Sequence, residues 1–267
     1  MTGVKPKKAL GQHFLTDMSV AERIAATLDD YTDVPVLEIG PGMGVLTQFL
    51  LTRHGADRLT LVEIDSESVE WLKGHLAEPQ PRIVEGDFLE MDLDALFPGT
   101  GDFCVIGNYP YNISSQIFFR VLDYRQRIVC CSGMLQREVA ERLAAAPGTK
   151  ARGILSVLLQ TWYDVEYLFT VSEKVFNPPP KVKSGVIRMR RNGRTTLGVD
   201  EGLFRTVVKT TFGQRRKTIR NSVRSLLPPG ADAAGMPYAA MRPEQLSVEQ
   251  FIELTSAVQN ARKTEEK

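Results

Sequence analysis

The chain has few cysteines, few histidines and almost no net charge. Its only cysteines are Cys104, Cys130 and Cys131. Two are adjacent, none forms a Cys-x-x-Cys pair, and all sit in apolar runs. That excludes a disulfide-stapled scaffold and places them as small core residues in a reducing compartment. His13, His54 and His75 are scattered without metal-ligand spacing, so no metal site is expected. No apolar run is long enough to span a bilayer, and no apolar stretch of signal-peptide type follows the basic residues Lys5, Lys7 and Lys8. The expectation is a cytoplasmic protein with no membrane partner. Neither an internal repeat nor a low-complexity segment is present. Lys and Arg number 33 against 32 Asp and Glu, a formal net charge of +1, so total charge points to no partner.

What is present is an ordinary globular composition, 43% hydrophobic and 24% charged over 267 residues. That suits one large domain with a small one. Short apolar runs at 34–39, 58–64, 82–84, 103–106 and 128–135 read as strands. Helical patterns at 18–28, 45–53, 66–76, 113–122 and 136–145 accompany them. This alternation predicts an α/β domain around a parallel sheet. A loop at 146–152, expected to be mobile, precedes a helix at 154–163 and late strands at 165–171 and 185–189. Beyond residue 203 only helical patterns remain, at 203–212, 215–227 and 248–260, the last opened by a Ser247/Gln250 capping box. The expected division is 1–195 and 196–267, with the tail 263–267 frayed.

Three stretches carry chemistry. The first is Val105-Ile106-Gly107-Asn108-Tyr109-Pro110-Tyr111-Asn112, a buried strand running into a rigid polar loop. Pro110 fixes its own φ and biases Tyr109 toward extended geometry. The Asn108 side-chain oxygen and a carbonyl near Pro110 can accept from an exocyclic amino group, and the Tyr111 ring can stack on a planar base. A strand-end turn with two core tyrosines is the other reading of the same residues. The second is Glu38-Ile39-Gly40-Pro41-Gly42-Met43-Gly44, a glycine-rich turn between strand and helix. Such a turn lets a ligand approach the backbone and points a helix N-terminus at it. The third glycine of a dinucleotide fingerprint would fall at Val45, so this is not that motif. Glu63 ends the next strand, 19 residues past Gly44, where a carboxylate can accept from both ribose hydroxyls. Asp87, with Phe88 beside it, closes the third strand's region and can accept from an adenine amino group. Together these predict nucleoside binding across the C-terminal edge of the sheet. The third stretch is basic: 13 Lys or Arg from Lys181 to Arg224 against only Asp200 and Glu201.

The Glu-x-Gly-x-Gly-x-Gly turn with Glu63 and Asp87 resembles the S-adenosylmethionine site of the seven-stranded methyltransferases. Asn108-Tyr109-Pro110-Tyr111 resembles the Asn-x-Pro-Tyr motif of their amino-methylating members. Three further motifs resemble the small-subunit ribosomal RNA adenine N6-dimethyltransferase family, the KsgA type. They are Gly11-Gln12-His13-Phe14-Leu15, Phe176-Asn177-Pro178-Pro179-Pro180-Lys181-Val182, and the run from Gln214 to Ser222. The likeness extends from about Lys7 to about Ala257. It departs from the family's usual pattern at His13, where Asn is usual, and at Tyr109, where Leu is usual.

The resemblance implies a Rossmann-like seven-stranded methyltransferase fold with a small C-terminal all-helical domain. It implies S-adenosyl-L-methionine as cofactor, held by His13, Leu15, Gly40, Gly42, Glu63, Ile64, Asp87, Phe88 and Asn108. Catalysis would fall to Asn108, Pro110, Tyr111 and Phe176, with Phe176 covering the second face of the base. RNA contact would fall to Lys181, Arg215, Arg216, Lys217, Arg220 and Arg224, the last five read as one basic helix. The implied reaction dimethylates N6 of two adjacent adenines in the 3′-terminal hairpin of small-subunit ribosomal RNA, within a pre-30S particle, and the implied enzyme is a monomer. A large-subunit RNA or DNA adenine methyltransferase, and a non-enzymatic assembly factor, are the competing classes. The Gln214–Ser222 motif argues against the first two, and the intact Asn108 loop against the third.

Overall fold

The structure, a computed structural model, describes residues 4–99 and 101–265. Along the chain come β1 (Phe14–Leu15), α1 (Met18–Ala25), β2 (Val36–Ile39), α2 (Thr47–His54), β3 (Leu59–Glu63), α3 (Ser66–His75), β4 (Arg82–Glu85), α4 (Leu93–Leu96) and β5 (Phe103–Asn108). There follow α5 (Ser114–Asp123), β6 (Ile128–Gln136), α6 (Arg137–Leu143), α7 (Ile154–Gln160), β7 (Tyr163–Val171), β8 (Phe176–Asn177) and β9 (Ser184–Arg191). Three helices close the chain: α8 (Glu201–Gly213), α9 (Ile219–Ser222) and α10 (Val248–Glu265). Glu266 and Lys267 of the expected frayed tail lie outside the described residues.

Seven strands form one sheet in the order β4-β3-β2-β5-β6-β9-β7. The first five run parallel to one another, and β9 runs antiparallel to β6. The central strands β2 and β3 are buried at every position, as apolar runs without alternation require when helices cover both faces. From β2 the chain works outward through β3 and β4, then returns to lay β5 and β6 on the other side. The switch between β2 and β5 opens a crevice beyond the strands' C-terminal ends, where such sheets bind ligands. Asp17 caps α1, its side chain accepting from Ser19 and Val20 N–H at 2.9 and 3.2 Å. The first turn past α1 tightens to 3₁₀ geometry over Ala26–Tyr31, so the expected single helix to residue 28 ends at Ala25.

Contacts divide the chain into two compact units, 1–141 with 164–191, and 142–163 with 192–267. The sequence reading drew a single cut at 195/196, whereas residues 142–163 pack with the helical unit. Arg152 shows why: it is wholly buried, with Nη1 donating to Ala145 O at 2.7 Å and to Gln160 Oε1 at 2.6 Å. Gly148 N–H donates to Glu244 O at 2.8 Å, so the 146–152 loop is tied down rather than free. Phe204, Val207, Val208 and Phe212 of α8 and Phe251, Leu254 and Val258 of α10 are buried in this unit, and Phe212 stacks on Phe251 at 6.0 Å. The capping box of α10 forms as expected, with Ser247 and Gln250 exchanging hydrogen bonds of 2.9 and 3.2 Å.

The expected helix over 215–227 is absent. Residues 215–217 form a turn after α8, α9 has four residues, and Arg224–Leu226 is a separate 3₁₀ turn. Tertiary bonds replace the helical ladder here. Ile219 N–H donates to Met241 O at 2.7 Å and Arg220 N–H to Ala239 O at 3.0 Å.

Candidate active site

The crevice at the switch point is a cleft of about 950 Å³, open mouth included, within the first unit. Its floor comes from the ends of four strands: Ile39-Gly40 and Gly42 after β2, Val62-Glu63-Ile64 at β3, Gly86–Leu89 after β4 and Asn108–Ile113 after β5. Its cover is the N-terminal segment from Ala9 to Phe14.

Glu63 is buried at the end of β3 and is held by two backbone donors, Gly42 N–H on Oε2 and Asp65 N–H on Oε1, both at 3.0 Å. Burial pushes its pKa up, and these hydrogen bonds work against that rise. Gly40 takes φ +64°, and a Cβ built on it would meet no atom within 4 Å. The empty space above Gly40 is a cradle that any side chain would fill, as close approach of a ligand to the backbone requires. Ile64 is half exposed beside Glu63, and Phe88 is buried beneath Asp87. Asp87 holds its own turn by accepting from Leu89 N–H at 2.8 Å. Acidic, apolar and open-backbone elements thus fall where a nucleoside with an aminoacid-like tail needs them. Glu38, one layer below, is wholly buried against Thr47 Oγ1 at 2.8 Å, and burial lifts its pKa to about 8.

Asn108 lies at the rim of the same cleft. Its side-chain N–H₂ donates to His13 O at 3.0 Å, which leaves the amide oxygen as the acceptor. The Pro110 carbonyl, weakly engaged by Ile113 N–H at 3.3 Å, retains acceptor capacity. The His13 ring nitrogen Nδ1 reaches Pro178 O at 2.8 Å, and the ring lies 5.5 Å from that of Tyr111, tilted by 31°. Tyr109 turns the other way. Its hydroxyl donates to Ser132 O at 2.6 Å, its ring packs edge-on to Phe118, and it is buried. Gly133 makes room for it: a Cβ there would stand 2.7 Å from the Tyr109 ring and 2.2 Å from Gly107 O. The larger residue at this motif position is thus stored in the core.

Two residues assigned to the site by sequence are not among those lining the cleft. Leu15 and Phe176 are both buried in the apolar core and face each other across the β1–β8 pair, and neither lines the cleft. The basic residues also do not form one helix. Arg215 is half buried and bonds Lys150 O, Arg216 and Lys217 are exposed in the turn, and Arg220 and Arg224 are exposed on the two short helical turns. Lys181 belongs to the first unit, in the exposed stretch after β8.

Sequence reasoning missed the way the cover is fastened. Lys7 Nζ pairs with Asp65 Oδ1 at 2.5 Å and with Glu67 Oε1 at 3.0 Å, while Gln12 Nε2 donates to Asp65 Oδ2 at 3.2 Å. Lys7 N–H closes the loop on Gln12 Oε1 at 2.7 Å. Burial acts to raise the Asp65 pKa, but the bonds from Lys7 and Gln12 outweigh it and hold the carboxyl low. No local pattern signals a pair 58 residues apart.

A seven-stranded, mostly parallel sheet with an antiparallel β9, a glycine cradle after β2 and a carboxylate at the end of β3 defines the class of S-adenosylmethionine-dependent methyltransferases. Residues 3–260 match the family model described as ribosomal RNA adenine dimethylase. The chain belongs to that family. It is 67% identical over 252 residues to the ribosomal RNA small subunit methyltransferase A of Parabacteroides distasonis, covering 94% of this chain and 93% of that one. The protein of the same name from Porphyromonas gingivalis is 63% identical, covering 97% and 100%. Among solved structures, a Plasmodium falciparum dimethyladenosine transferase shares the fold, with a TM-score of 0.77, 21% identity and coverage of 94% and 98%. The 23S rRNA methyltransferase ErmE follows at 0.62 and 28%, covering 92% and 99%.

Proposed function

We propose that this protein transfers methyl groups to N6 of two adjacent adenines in the 3′-terminal hairpin loop of small-subunit ribosomal RNA, giving dimethyladenosines during ribosome biogenesis. The observation that carries this reading is the Asn108 amide. The bond from its N–H₂ to His13 O fixes which end of the amide is the oxygen, and that oxygen is an acceptor for a donor such as an adenine amino group.

S-adenosylmethionine, when bound, supplies an electrophilic methyl group on a sulfonium sulfur. The cradle at Gly40 and the Glu63 carboxylate would hold it, with Ile64, Asp87 and Phe88 around its base. The adenine N6 lone pair is delocalised into the ring, so N6 is a poor nucleophile. Acceptance of its N–H groups by Asn108 Oδ1 and Pro110 O favours a pyramidal nitrogen with a free lone pair. These bonds strengthen as N6 gains positive charge, so they act on the transition state. Once methylated, N6 would carry a surplus proton, which can pass to solvent. Tyr111 offers a ring face to the base, a contact worth ~1–3 kcal/mol. The target adenine must be extruded or unpaired to enter.

The buried orientation of Tyr109 supports dimethylation in particular. A monomethylated N6 must re-enter beside Asn108 with its first methyl accommodated, and the Tyr109 side chain is turned into the core instead of toward Asn108. The exposed cations Arg216, Lys217, Arg220 and Arg224 support an RNA backbone contact, and a cytoplasmic monomer acting on a pre-30S particle is the accompanying picture. Purified protein, cofactor and unmethylated small subunits test the reading, with nucleosides resolved by mass. Dimethyladenosine is expected at two adjacent sites. Monomethyladenosine alone after exhaustive reaction overturns the methyl count, and modification confined to large-subunit RNA or DNA overturns the substrate.

A further inference from the structure

The Tyr111 ring is tethered at its hydroxyl end. That hydroxyl lies 2.5 Å from Oγ of Ser184, and Ser184 is wholly buried. Burial raises the Tyr111 pKa and the Ser184 bond works against the rise, as for a hydroxyl pair shielded from water. Ser184 opens β9 and is the register partner of Gln136, the last residue of β6. The two strands pair without a register shift from Cys130–Arg190 to Gln136–Ser184. A Cβ on the next residue, Gly185, would stand 2.7 Å from the Tyr167 ring and 2.8 Å from Ala140 Cβ. Just before it, Lys183 O accepts from Arg137 N–H at 3.0 Å. The Ser184 hydroxyl is therefore a fixed point of the sheet, 73 residues from the ring it holds.

We infer that Ser184 is a positioning residue for methyl transfer, setting the direction and depth of the Tyr111 ring against which adenine is held. The inference rests on the proposed stacking role of Tyr111. A phenol ring turns about two side-chain torsions. A bond at its far end restrains the first, which sets how deep the ring reaches; the hydroxyl oxygen lies on the axis of the second, so turning about that axis is limited by neighbouring rings such as His13, 5.5 Å away. The height of the platform would set where N6 lies against Asn108 Oδ1 and Pro110 O, and displacements near 1 Å at such a point cost up to about a hundredfold in rate. A hydroxyl that only satisfied a buried partner would affect folding and leave turnover per folded molecule intact.

Four variants test this on unmethylated small subunits: Ser184→Ala, Tyr111→Phe, the two combined, and Tyr111→Ala. Turnover, cofactor affinity by calorimetry and melting temperature are measured for each. Ser184→Ala and Tyr111→Phe should each lower kcat about tenfold with cofactor affinity unchanged. The combination should be no slower than either alone, because both delete one bond. Tyr111→Ala should be slower still. Wild-type kcat in Tyr111→Phe, or multiplying losses in the double variant, overturns the inference while leaving the Tyr111 platform standing. Wild-type kcat in Tyr111→Ala removes the platform and the inference with it. Should Ser184→Ala fail to fold, Tyr111→Phe decides, since it deletes the same bond from the other side.

Discussion

At Asn108 one side chain serves two partners. Its N–H₂ fastens the loop after β5 to the N-terminal cover through His13 O, and its oxygen is the acceptor proposed for the target amino group. Replacing it with Ala should cost turnover roughly a hundredfold or more, because the lost acceptor matters most as charge develops. Cofactor affinity should fall little, and near wild-type turnover would sink the mechanism. Glu38 answers to pH instead. Its folded pKa of about 8 lies above the ordinary 4.5. Between those values the folded chain keeps a proton that the unfolded chain releases. The stabilisation is therefore complete below 4.5 and is lost as pH rises toward 8. Glu38→Gln mimics the protonated form and keeps an oxygen for Thr47 Oγ1. Its melting temperature relative to wild type should rise between pH 5 and pH 8, and a constant difference across that range would remove Glu38 as the source. The sequence showed Glu38 only as the first letter of a glycine turn. Its protonation follows from burial between β3 and β5, which one strand's residues do not reveal.

At the scale of elements, apolar strands with polar ends were readable because parallel strands bury both faces and leave their chemistry at the C-terminal tips. That logic picks out Glu63, Asp87 and Asn108, and all three line one cleft. The two-residue strands β1 and β8 were not, since residues 14–15 and 176–177 pair across about 160 positions with no periodicity to betray them. That pairing buries Phe176 and Leu15 in the core, and neither is among the residues lining the cleft. The basic stretch misled in the opposite sense: its helical pattern was real, but carbonyls of Met241 and Ala239 captured its N–H groups. The N-terminal cover yields a test of its own. Lys7, Gln12 and Asp65 close it over the cleft, and Asp65 is almost fully buried while Lys7 remains partly open to solvent. Lys7→Ala should leave the cleft floor intact and speed release of the demethylated cofactor several-fold. Added salt should speed release from the wild type more than from the variant, because the ion pair is screened only where it exists. Equal release rates, read by stopped-flow displacement, would show that the cover opens without breaking this pair.

Across the whole molecule the charge nearly cancels, 33 cations against 32 anions. No long-range attraction to a polyanion follows from that balance, so affinity for RNA must come from local clusters within a Debye length of the phosphates, about 8–10 Å in physiological salt. The helical unit supplies one such cluster in Arg216, Lys217, Arg220 and Arg224, all exposed. Arg215 differs, being half buried and bonded to Lys150 O, so its removal would also disturb the loop beneath. The informative variant therefore replaces Arg216, Lys217 and Arg220 together with Ala and leaves Arg215 in place. Each phosphate contact released lowers the slope of log affinity against log salt by ~0.7–0.9, so the triple variant should lose roughly 2–3 from that slope. Its melting temperature should stay near wild type, because exposed cations away from the core contribute little to stability. Cofactor affinity should also hold, since the cleft lies wholly within the first unit. Binding to unmethylated small subunits, titrated over a series of salt concentrations, measures the slope directly. A slope equal to that of the wild type would mean that these side chains face solvent in the complex as they do alone, and that the RNA is held by other cations, beginning with Lys181.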